Sequence, residues 1–434
     1  MQFETVPFGS LFACPQKNGL TRPKEVRGEG LPMVNMGELF AHPRIGHIDM
    51  ELVPVSHKEA DFLMQPGDLL FARQSLVRDG AGQCSIFMGN TSPTVFESHL
   101  IRCRLAVGRA VPDYYFYFFR SPQGRTAIDA IIEQGAGAAG IRGSDLVRLE
   151  VPAPPLRYQQ QVVEILKVLD DRIDLLHQTN TTLESIAQAL FKSWFIDFDP
   201  VRAKQAGREP EGMDATTAAL FPAEFEESAL GLIPKGWTEG VLGNVCTNPR
   251  SQAKPGQMPP DTPYIGLEHM PRRRIALGEA GTAAGLESGK FWFERNDVLF
   301  GKLRPYFHKV ALAPCRGICS TDILVIRPLQ GHYLGFVAMH AFSDELIAHT
   351  TLLSNGARMP RTSWHDIETY KVVLPDAPIV EAFDRVSRPL FERIYSNIEA
   401  ARTLAKLRET LLPRLISGKL RLPEAKEQLE EALT

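Results

Sequence analysis

The sequence predicts an α+β protein with a pseudo-two-fold internal repeat, in which two similar mixed α/β domains are each followed by a long helix. Residues 67–73 resemble residues 296–302 at an offset of 229, and residues 98–104 resemble residues 321–327 at an offset of 223. From Gly135 and Gly356 onward, the offset stays at 221 over roughly sixty residues. Loops absorb changes of length and a helix packed in register does not, so the constant part of each copy is predicted to be the helix.

The constant segments have the pattern of a coiled coil. Residues 159–195 contain no Pro or Gly, and apolar residues recur there in steps of four and three. The predicted seam comprises Leu169, Ile173, Leu176, Asn180, Leu183 and Leu190 in the first copy, and Leu390, Ile394, Asn397, Leu404 and Leu411 in the second. The Asn residues are read either as buried register devices or as half-exposed side chains at a loose point in the seam. Pro389 predicts a break or restart of the second helix near residue 388.

These patterns divide the chain into six segments. We predict a first domain at 1–155, a long helical region at 156–204, an acidic linker at 205–231, a second domain at 232–377, a C-terminal helical region at 378–422, and an acidic tail at 423–434 with a frayed end. Within the domains, residues 68–73, 100–105, 297–302 and 323–327 are predicted strands. The aromatic segment 114–119 is predicted to be helical cover and core, and residues 333–348 are its counterpart.

Composition and motifs argue against catalysis by this chain. The net charge of the 434 residues is -3, so any nucleic-acid contact must come from local patches. The sequence has no Walker motif, no N-P-P-Y or D-P-P-Y tetrapeptide, no H-E-x-x-H and no G-x-S-x-G. We therefore predict no catalytic residue, no metal ligand and no cofactor. No apolar run is long enough for a membrane span, and six scattered cysteines suit the cytoplasm.

Basic side chains recur at matching places in the two copies. Residues 235–330 hold thirteen basic and eight acidic residues. In both copies basic residues come straight after the same predicted strand, and a Gly- and Arg-containing loop follows at 135–142 and at 356–364. Any one of these side chains could be an ordinary solvated charge, but the coincidence favours contact with DNA. The candidates are Lys17, Arg22, Lys24, Arg27, Arg73, Gln74, Arg78, Arg142, Arg272, Arg273, Arg274, Lys302, Arg304, Tyr306, His308, Lys309, Arg358 and Arg361.

One loop carries the letters of a nucleotide-binding motif. Residues 135–140 read G-x-G-x-x-G, which in dinucleotide-binding proteins follows a strand and opens a helix. Here the preceding residues look helical and the following ones run toward a strand. A mobile or DNA-facing loop is therefore preferred over a phosphate or cofactor loop.

Several segments together resemble the specificity subunit of Type I restriction-modification systems. They are SWFIDFDPVRAK at 193–204, LFP at 220–222, GLIPKGW at 231–237, GKLRPY at 301–306 and LLPRLISGKL at 411–420. The resemblance implies two target recognition domains, which read the halves of a bipartite, asymmetric site in double-stranded DNA. It also implies two long helices in an antiparallel coiled coil that sets the spacer. Two adenine-methyltransferase subunits would dock on the helices, with two restriction and translocase subunits as further possible partners.

Two other classes of protein remain as alternatives. The first is a stand-alone adenine methyltransferase with a divergent catalytic motif, and the missing tetrapeptide argues against it. The second is a coiled-coil scaffold that binds only proteins; it predicts that charge reversal at Arg73, Lys302 and Arg304 changes nothing.

Overall fold

The chain divides into two structural units, each of which contains residues from both long helices. The computed structural model describes residues 3–135, 137–354 and 359–433. The first unit comprises Met1–Arg172 and Thr403–Thr434, and the second comprises Ile173–Arg402. Two forty-residue helices, Leu156–Phe195 (the first long helix) and Ala377–Ile416 (the second long helix), contribute residues to both units. The sequence pattern had instead predicted two helical regions, at 156–204 and 378–422, that were separate from the two domains.

The first unit is built on a five-stranded sheet. Its strand order is Lys17–Asn18, Leu100–Cys103, Leu69–Ala72, Cys84–Phe87 and Arg44–Ile45. The remaining strands form a sheet of Glu51–Val53, Leu31–Val34 and Val95–Phe96, another of Glu133–Gln134, Ala139–Gly140 and Gln74–Ser75, and the pair of Thr5–Pro7 with Glu150–Pro152. The three middle strands of the large sheet are buried at every position, so they form its core.

Helices cover this sheet and close the first unit. The short α-helices are Met36–Ala41, Pro112–Arg120, Pro122–Asp129 and Gly143–Arg148, and the 3-10 turns are Phe8–Leu11, Lys24–Val26, His57–Phe62 and Arg78–Gly80. Helix Pro112–Arg120 buries six consecutive aromatic side chains, and Phe119 meets Phe71 of the sheet edge-to-face, with ring centroids 4.9 Å apart. The prediction that this aromatic segment is helical core is confirmed.

The second unit repeats the plan with different sheet sizes. One sheet has the strand order Cys246–Thr247, Ile323–Pro328, Val298–Gly301 and Val310–Leu312, and another has the order Gln252–Ala253, Lys290–Phe293, Gly317–Cys319, Pro263–Ile265 and Gly281–Thr282. Two strand pairs are Thr238–Val241 with Lys371–Leu374 and Phe225–Ser228 with Gly231–Pro234. Its short α-helices are Asp199–Gln205, Ala215–Leu220, Leu334–Phe342, Asp344–Leu353 and Trp364–Glu368, and its 3-10 turns are Leu242–Asn244, Leu267–His269, Pro305–Phe307 and Gly331–Tyr333.

A buried ion pair recurs in the two units. Asp68 accepts hydrogen bonds from Nε and a terminal nitrogen of Arg104, both at 2.7 Å. Asp297 accepts the same two bonds from Arg327, at 2.8 and 2.6 Å. Each pair closes one end of two neighbouring strands, and its residues stand at the offsets of 229 and 223 found in the sequence. The internal repeat therefore extends from the chain trace to individual side-chain contacts.

The long helices pair antiparallel within each unit. In the first unit Tyr158 donates a hydrogen bond to the carbonyl of Leu415, and Arg408 donates one to Asp170. In the second unit Asn180 pairs with Asn397, and the ring of Phe191 contacts that of Phe383 further along. In each case, residues later in the first long helix meet residues earlier in the second. Of the predicted seam residues, Leu183, Leu190 and Leu390 are partly buried and the other eight are buried.

Asn180 and Asn397 are bonded to each other in the buried seam. The amide of Asn397 donates to the side-chain oxygen of Asn180 at 2.8 Å, and the two residues are only 2% and 3% exposed respectively. A polar pair of this kind disfavours shifted registers, because a shift would leave both amides buried without a partner. The half-exposed alternative is therefore wrong.

Replacing one member of this pair tests its contribution to stability. We expect Asn180→Leu to lower the free energy of unfolding by about 1–3 kcal/mol, because the buried Asn397 amide loses its acceptor. The double variant Asn180→Leu/Asn397→Leu should recover most of that loss, since neither polar group then remains buried. Urea unfolding of both variants measures the difference. A double variant whose loss of stability equals the sum of the losses in Asn180→Leu and Asn397→Leu would show that the two amides do not stabilise each other.

Three local predictions from the sequence are wrong. The second long helix does not break near residue 388, and it continues through Pro389 because Phe383 and Phe391 on either side are buried in the core. The predicted acidic linker contains helix Ala215–Leu220, and Phe221 is buried against Trp194 with ring centroids 5.3 Å apart. The predicted frayed tail forms helix Leu422–Leu433 and buries Ala425 and Leu429. None of the helices in the described ranges is both long and apolar enough to cross a membrane.

Candidate nucleic-acid interface

In the first unit, three separate segments meet at one end of the central sheet. Arg73 directly follows strand Leu69–Ala72, and its backbone N–H donates to the carbonyl of His99 at 2.8 Å. The carbonyl of Arg73 accepts a hydrogen bond from the N–H of Ile141 at 2.9 Å. The first basic cradle is defined as residues 73–75, 99 and 139–142.

The second unit builds the same junction from its own residues. The N–H of Lys302 donates to the carbonyl of Asp322 at 2.8 Å, and the N–H of Thr362 donates to the carbonyl of Lys302 at 3.1 Å. Leu303 and Arg361 form an isolated antiparallel bridge beside it. The second basic cradle is defined as residues 302–304, 322 and 360–362. Its bonds correspond to those of the first cradle at offsets of 229, 223 and 221, so the two sites are equivalent.

The first basic cradle borders an open groove of about 590 Å³. The groove is lined by Asn18, Arg73, Gln74, Glu133, Gln134, Gly135, Ala138, Ala139, Gly140, Ile141, Arg142 and Gly143. Arg73 is held by a bond from one terminal nitrogen to the carbonyl of Ser98 at 3.2 Å, and Arg142 pairs with Glu133 at 2.6 Å. The site therefore offers guanidinium and amide donors beside a concave backbone surface, a combination suited to phosphates and base edges.

Charge is concentrated in the second basic cradle. Partial burial lowers the pKa of Lys302, and the nearby positive charges of Arg361 and Arg250 lower it further, while Asp322 opposes them. Arg361 lies 3.4 Å from Asp322 and keeps more than half of its side chain exposed. Arg304 has a left-handed backbone (φ 52°), and its guanidinium lies over the Phe307 ring. A phosphate placed here would stabilise the Lys302 cation that its own surroundings disfavour.

Several predicted contacts lie away from the cradles. Arg22 donates to Glu59 and to two backbone carbonyls, and Arg27 donates to Glu51 and to the carbonyl of Arg22. Both side chains are partly buried and hold their own loop together, which argues against a role in DNA contact. Lys17 lies 3.6 Å from Asp61, and Lys24 is exposed.

The remaining candidates of the second unit have diverse partners. His308 is 2% exposed and bonds the carbonyl of Phe342 through Nε2, so the prediction that it contacts DNA is wrong. The run of three arginines does not act together: Arg272 lies over Phe307, Arg273 pairs with Asp344, and Arg274 is directed to the carbonyl of His177. Lys309 donates to the carbonyl of Leu267, and Tyr306 is exposed. Arg358 lies outside the described residues.

The predicted glycine loop lies between two paired strands. Strands Glu133–Gln134 and Ala139–Gly140 pair across it, and the second of these also pairs with Gln74–Ser75. A nucleotide fingerprint would need a strand leading into a helix, and here a strand pairs with a strand, which argues against a nucleotide-binding loop. That the loop is mobile or faces DNA stays a prediction. Within the described ranges, no group of three or more His, Cys, Asp and Glu side chains lies close enough together to hold a metal ion.

Sequence reasoning missed three residues at the cradles. His99 and Asn18 belong to the first cradle and its groove, and Arg250 lies near enough to Lys302 to affect its pKa. His99 occupied the position of Asp322 in the repeat alignment, which was the available signal. Asn18 and Arg250 reach the cradles through short strands and loops that show no repeat pattern.

Comparison with known proteins agrees with this architecture. A family model described as "Type I restriction modification DNA specificity domain" matches residues 55–185. The MjaIX specificity subunit of Methanocaldococcus jannaschii is 25% identical over 72% of this chain and 70% of its own length. The HindI specificity subunit of Haemophilus influenzae is 23% identical over 89% of this chain and 94% of its own length.

A solved structure has the same fold. The crystal structure of a Type I restriction-modification S subunit from M. genitalium aligns with 96% of both chains, at 13% identity and a TM-score of 0.51. The repeated domains, the paired long helices and the matches to known specificity subunits lead to one conclusion. The chain is similar in sequence and in fold to the specificity subunits of Type I restriction-modification systems.

Proposed function

We propose that each unit reads one half of a two-part duplex target through its basic cradle. The observation that carries the proposal is the recurrence of the same backbone hydrogen bonds around Arg73 and Lys302. A repeated frame that holds basic residues at the same sheet end gives two equivalent places for a duplex to bind. Arg and Lys hold phosphates, and Arg and Gln also read base edges in the major groove.

The two halves of the target would differ in sequence. The frame is repeated, but the side chains on it are not: Arg73 and Gln74 stand where the second unit has Lys302 and Leu303. Base choice depends on the donors and acceptors presented to the groove, so unlike side chains on a common frame select unlike base pairs. The target is therefore expected to be asymmetric.

The paired long helices are proposed to fix the gap between the half-sites and to dock two methyltransferase subunits. Hydrogen bonds such as Asn180 with Asn397 and Arg408 with Asp170 hold the pairing at a defined register. A fixed register gives a fixed length, which is what a constant spacer needs. Methyl transfer, ATP hydrolysis and any DNA cleavage would then belong to the partner subunits, including restriction subunits where the system has them.

Methylome mapping tests the function directly. The chain is expressed with the methyltransferase subunit of its own system in a host without adenine methylation, and modified adenines are mapped by single-molecule sequencing. We expect a split motif with a constant gap that disappears when this chain is omitted. A motif that persists without the chain would assign recognition to the partner, and a complex that forms without modifying DNA would favour the protein-binding scaffold.

A further inference from the structure

Two exposed apolar side chains stand at the rim of the first basic cradle. Leu76 is 88% exposed and Val77 is 65% exposed. They follow strand Gln74–Ser75, which pairs with strand Ala139–Gly140 at the border of the groove. Single exposed apolar residues are common on protein surfaces, so exposure alone assigns no role. Leu76 and Val77, however, are adjacent to each other and lie beside basic residues.

The second unit places an exposed aromatic residue at the equivalent position. At the offset of 229 that relates the strands, Val77 corresponds to Tyr306, which is 49% exposed. Tyr306 lies in the 3-10 turn Pro305–Phe307, directly after Arg304 of the second basic cradle. In both units, therefore, the turn after the basic strand end presents apolar surface to solvent.

Both turns are held in place by the protein beneath them. In the first unit the N–H of Val77 donates to Ser75 Oγ, and the N–H of Gly80 donates to the carbonyl of Val77. In the second unit the turn is anchored by His308, which is buried and bonded to the carbonyl of Phe342. Fixed turns present their exposed side chains at low entropic cost on binding.

The surrounding charge favours a nucleic acid over a protein as the partner. Arg73 and Arg78 flank Leu76 and Val77 in the sequence, and Arg304 precedes Tyr306. Two or three apolar side chains among guanidinium groups are a small surface for docking a protein subunit. They match a DNA groove, where the phosphates meet the cations and the thymine methyl groups and base faces accept apolar contact.

We propose that Leu76 and Val77 in the first unit, and Tyr306 in the second, make apolar contacts with the bases of the target and contribute to sequence choice. The proposal rests on the proposed function of the two cradles. It adds apolar contacts to the polar donors as determinants of specificity.

The test uses the full chain in complex with its methyltransferase subunit and a duplex that carries the mapped methylation motif. We expect Leu76→Ser/Val77→Ser to weaken binding of this duplex by about tenfold to a hundredfold, with binding of a random duplex nearly unchanged. Tyr306→Ser should do the same through the other half-site, as shown by duplexes in which one half is scrambled.

Val107→Ser is the matched control. Val107 is 85% exposed and belongs to the same unit. It comes after the C-terminal end of strand Leu100–Cys103, whereas the first basic cradle lies at the N-terminal end of that strand. Val107→Ser should leave binding unchanged. All these side chains are exposed, so thermal unfolding of the variants should match that of the parent chain.

Three results would overturn the inference in distinguishable ways. If Leu76→Ser/Val77→Ser binds the target normally while Arg73→Glu weakens it, the apolar contact is wrong and the proposed function stands. If neither variant affects binding, the proposed function fails as well. If Leu76→Ser/Val77→Ser loses the methyltransferase subunit during size-exclusion chromatography, the apolar turn docks a protein.

Discussion

Asp68→Ala is expected to lower the free energy of unfolding of the first unit by about 3 kcal/mol. Asp68 is 1% exposed and accepts two hydrogen bonds from Arg104 and one from the N–H of Gln65. Its removal leaves the Arg104 guanidinium, which is mostly buried, without its counter-charge. Removing one partner of a buried ion pair costs more than the pair itself contributes, because the other charge stays desolvated.

The repeat supplies an internal replicate and a control for this experiment. Asp297→Ala should have a similar effect on the second unit, where Asp297 holds Arg327 and the N–H of Glu294. Asp145→Ala removes an ion pair in which Arg148 is largely exposed, so it should change stability by less than about 1 kcal/mol. Calorimetric melting of the three variants gives the comparison. An unfolding temperature for Asp68→Ala equal to that of Asp145→Ala would contradict a structural role for the buried pair.

Much of the fold was predictable because the chain contains an internal repeat, so its two copies can be compared with each other. The offset of 221 in the sequence is the offset between the two long helices, which begin at Leu156 and Ala377 and end at Phe195 and Ile416. Arg73 and Lys302 also occupy equivalent positions in the structure, since each directly follows one of two corresponding strands. A pattern that occurs twice separates structural constraint from chance, which a single domain sequence does not do.

The errors arose where tertiary contacts decide the outcome. Pro389 disfavours a helix locally, but buried aromatic residues on both sides keep that helix intact. The segment 205–231 looked like a linker because it is acidic and rich in Ala, Gly and Pro, although Phe221 within it is buried in the core. Composition reports the average of a segment, whereas packing depends on single side chains.

The same limit applied to the site. Basic residues could be located from the sequence, but their acceptors could not. Glu59 and Glu51, which engage Arg22 and Arg27, lie more than twenty residues away in the chain, and so does Phe342, which binds His308. The cradles were predictable in outline because their defining strands and loops are repeated. The division of basic residues into structural and exposed ones required coordinates.

Lys302→Glu is expected to weaken binding of the target duplex at least a hundredfold, and to do so through one half-site only. The substitution reverses the charge at the centre of the second basic cradle and places a carboxylate near Asp322, whose charge already acts on this position. Arg73→Glu should have the corresponding effect through the other half-site, because Arg73 occupies the equivalent position in the first unit. A chain carrying both changes should bind target and random duplexes alike, each weakly.

The effect must be separated from a general loss of positive charge. Lys371→Glu makes the same charge change at an exposed residue of the second unit, on a strand outside the cradle. Binding is measured at two salt concentrations on duplexes with either half-site scrambled, since phosphate contacts change the salt dependence and base contacts change the discrimination. We expect scrambling the second half-site to cost the parent chain affinity and the Lys302→Glu chain almost none. If Lys371→Glu weakens binding as much as Lys302→Glu, net charge alone explains the result, and the cradles are not the sites that read the sequence.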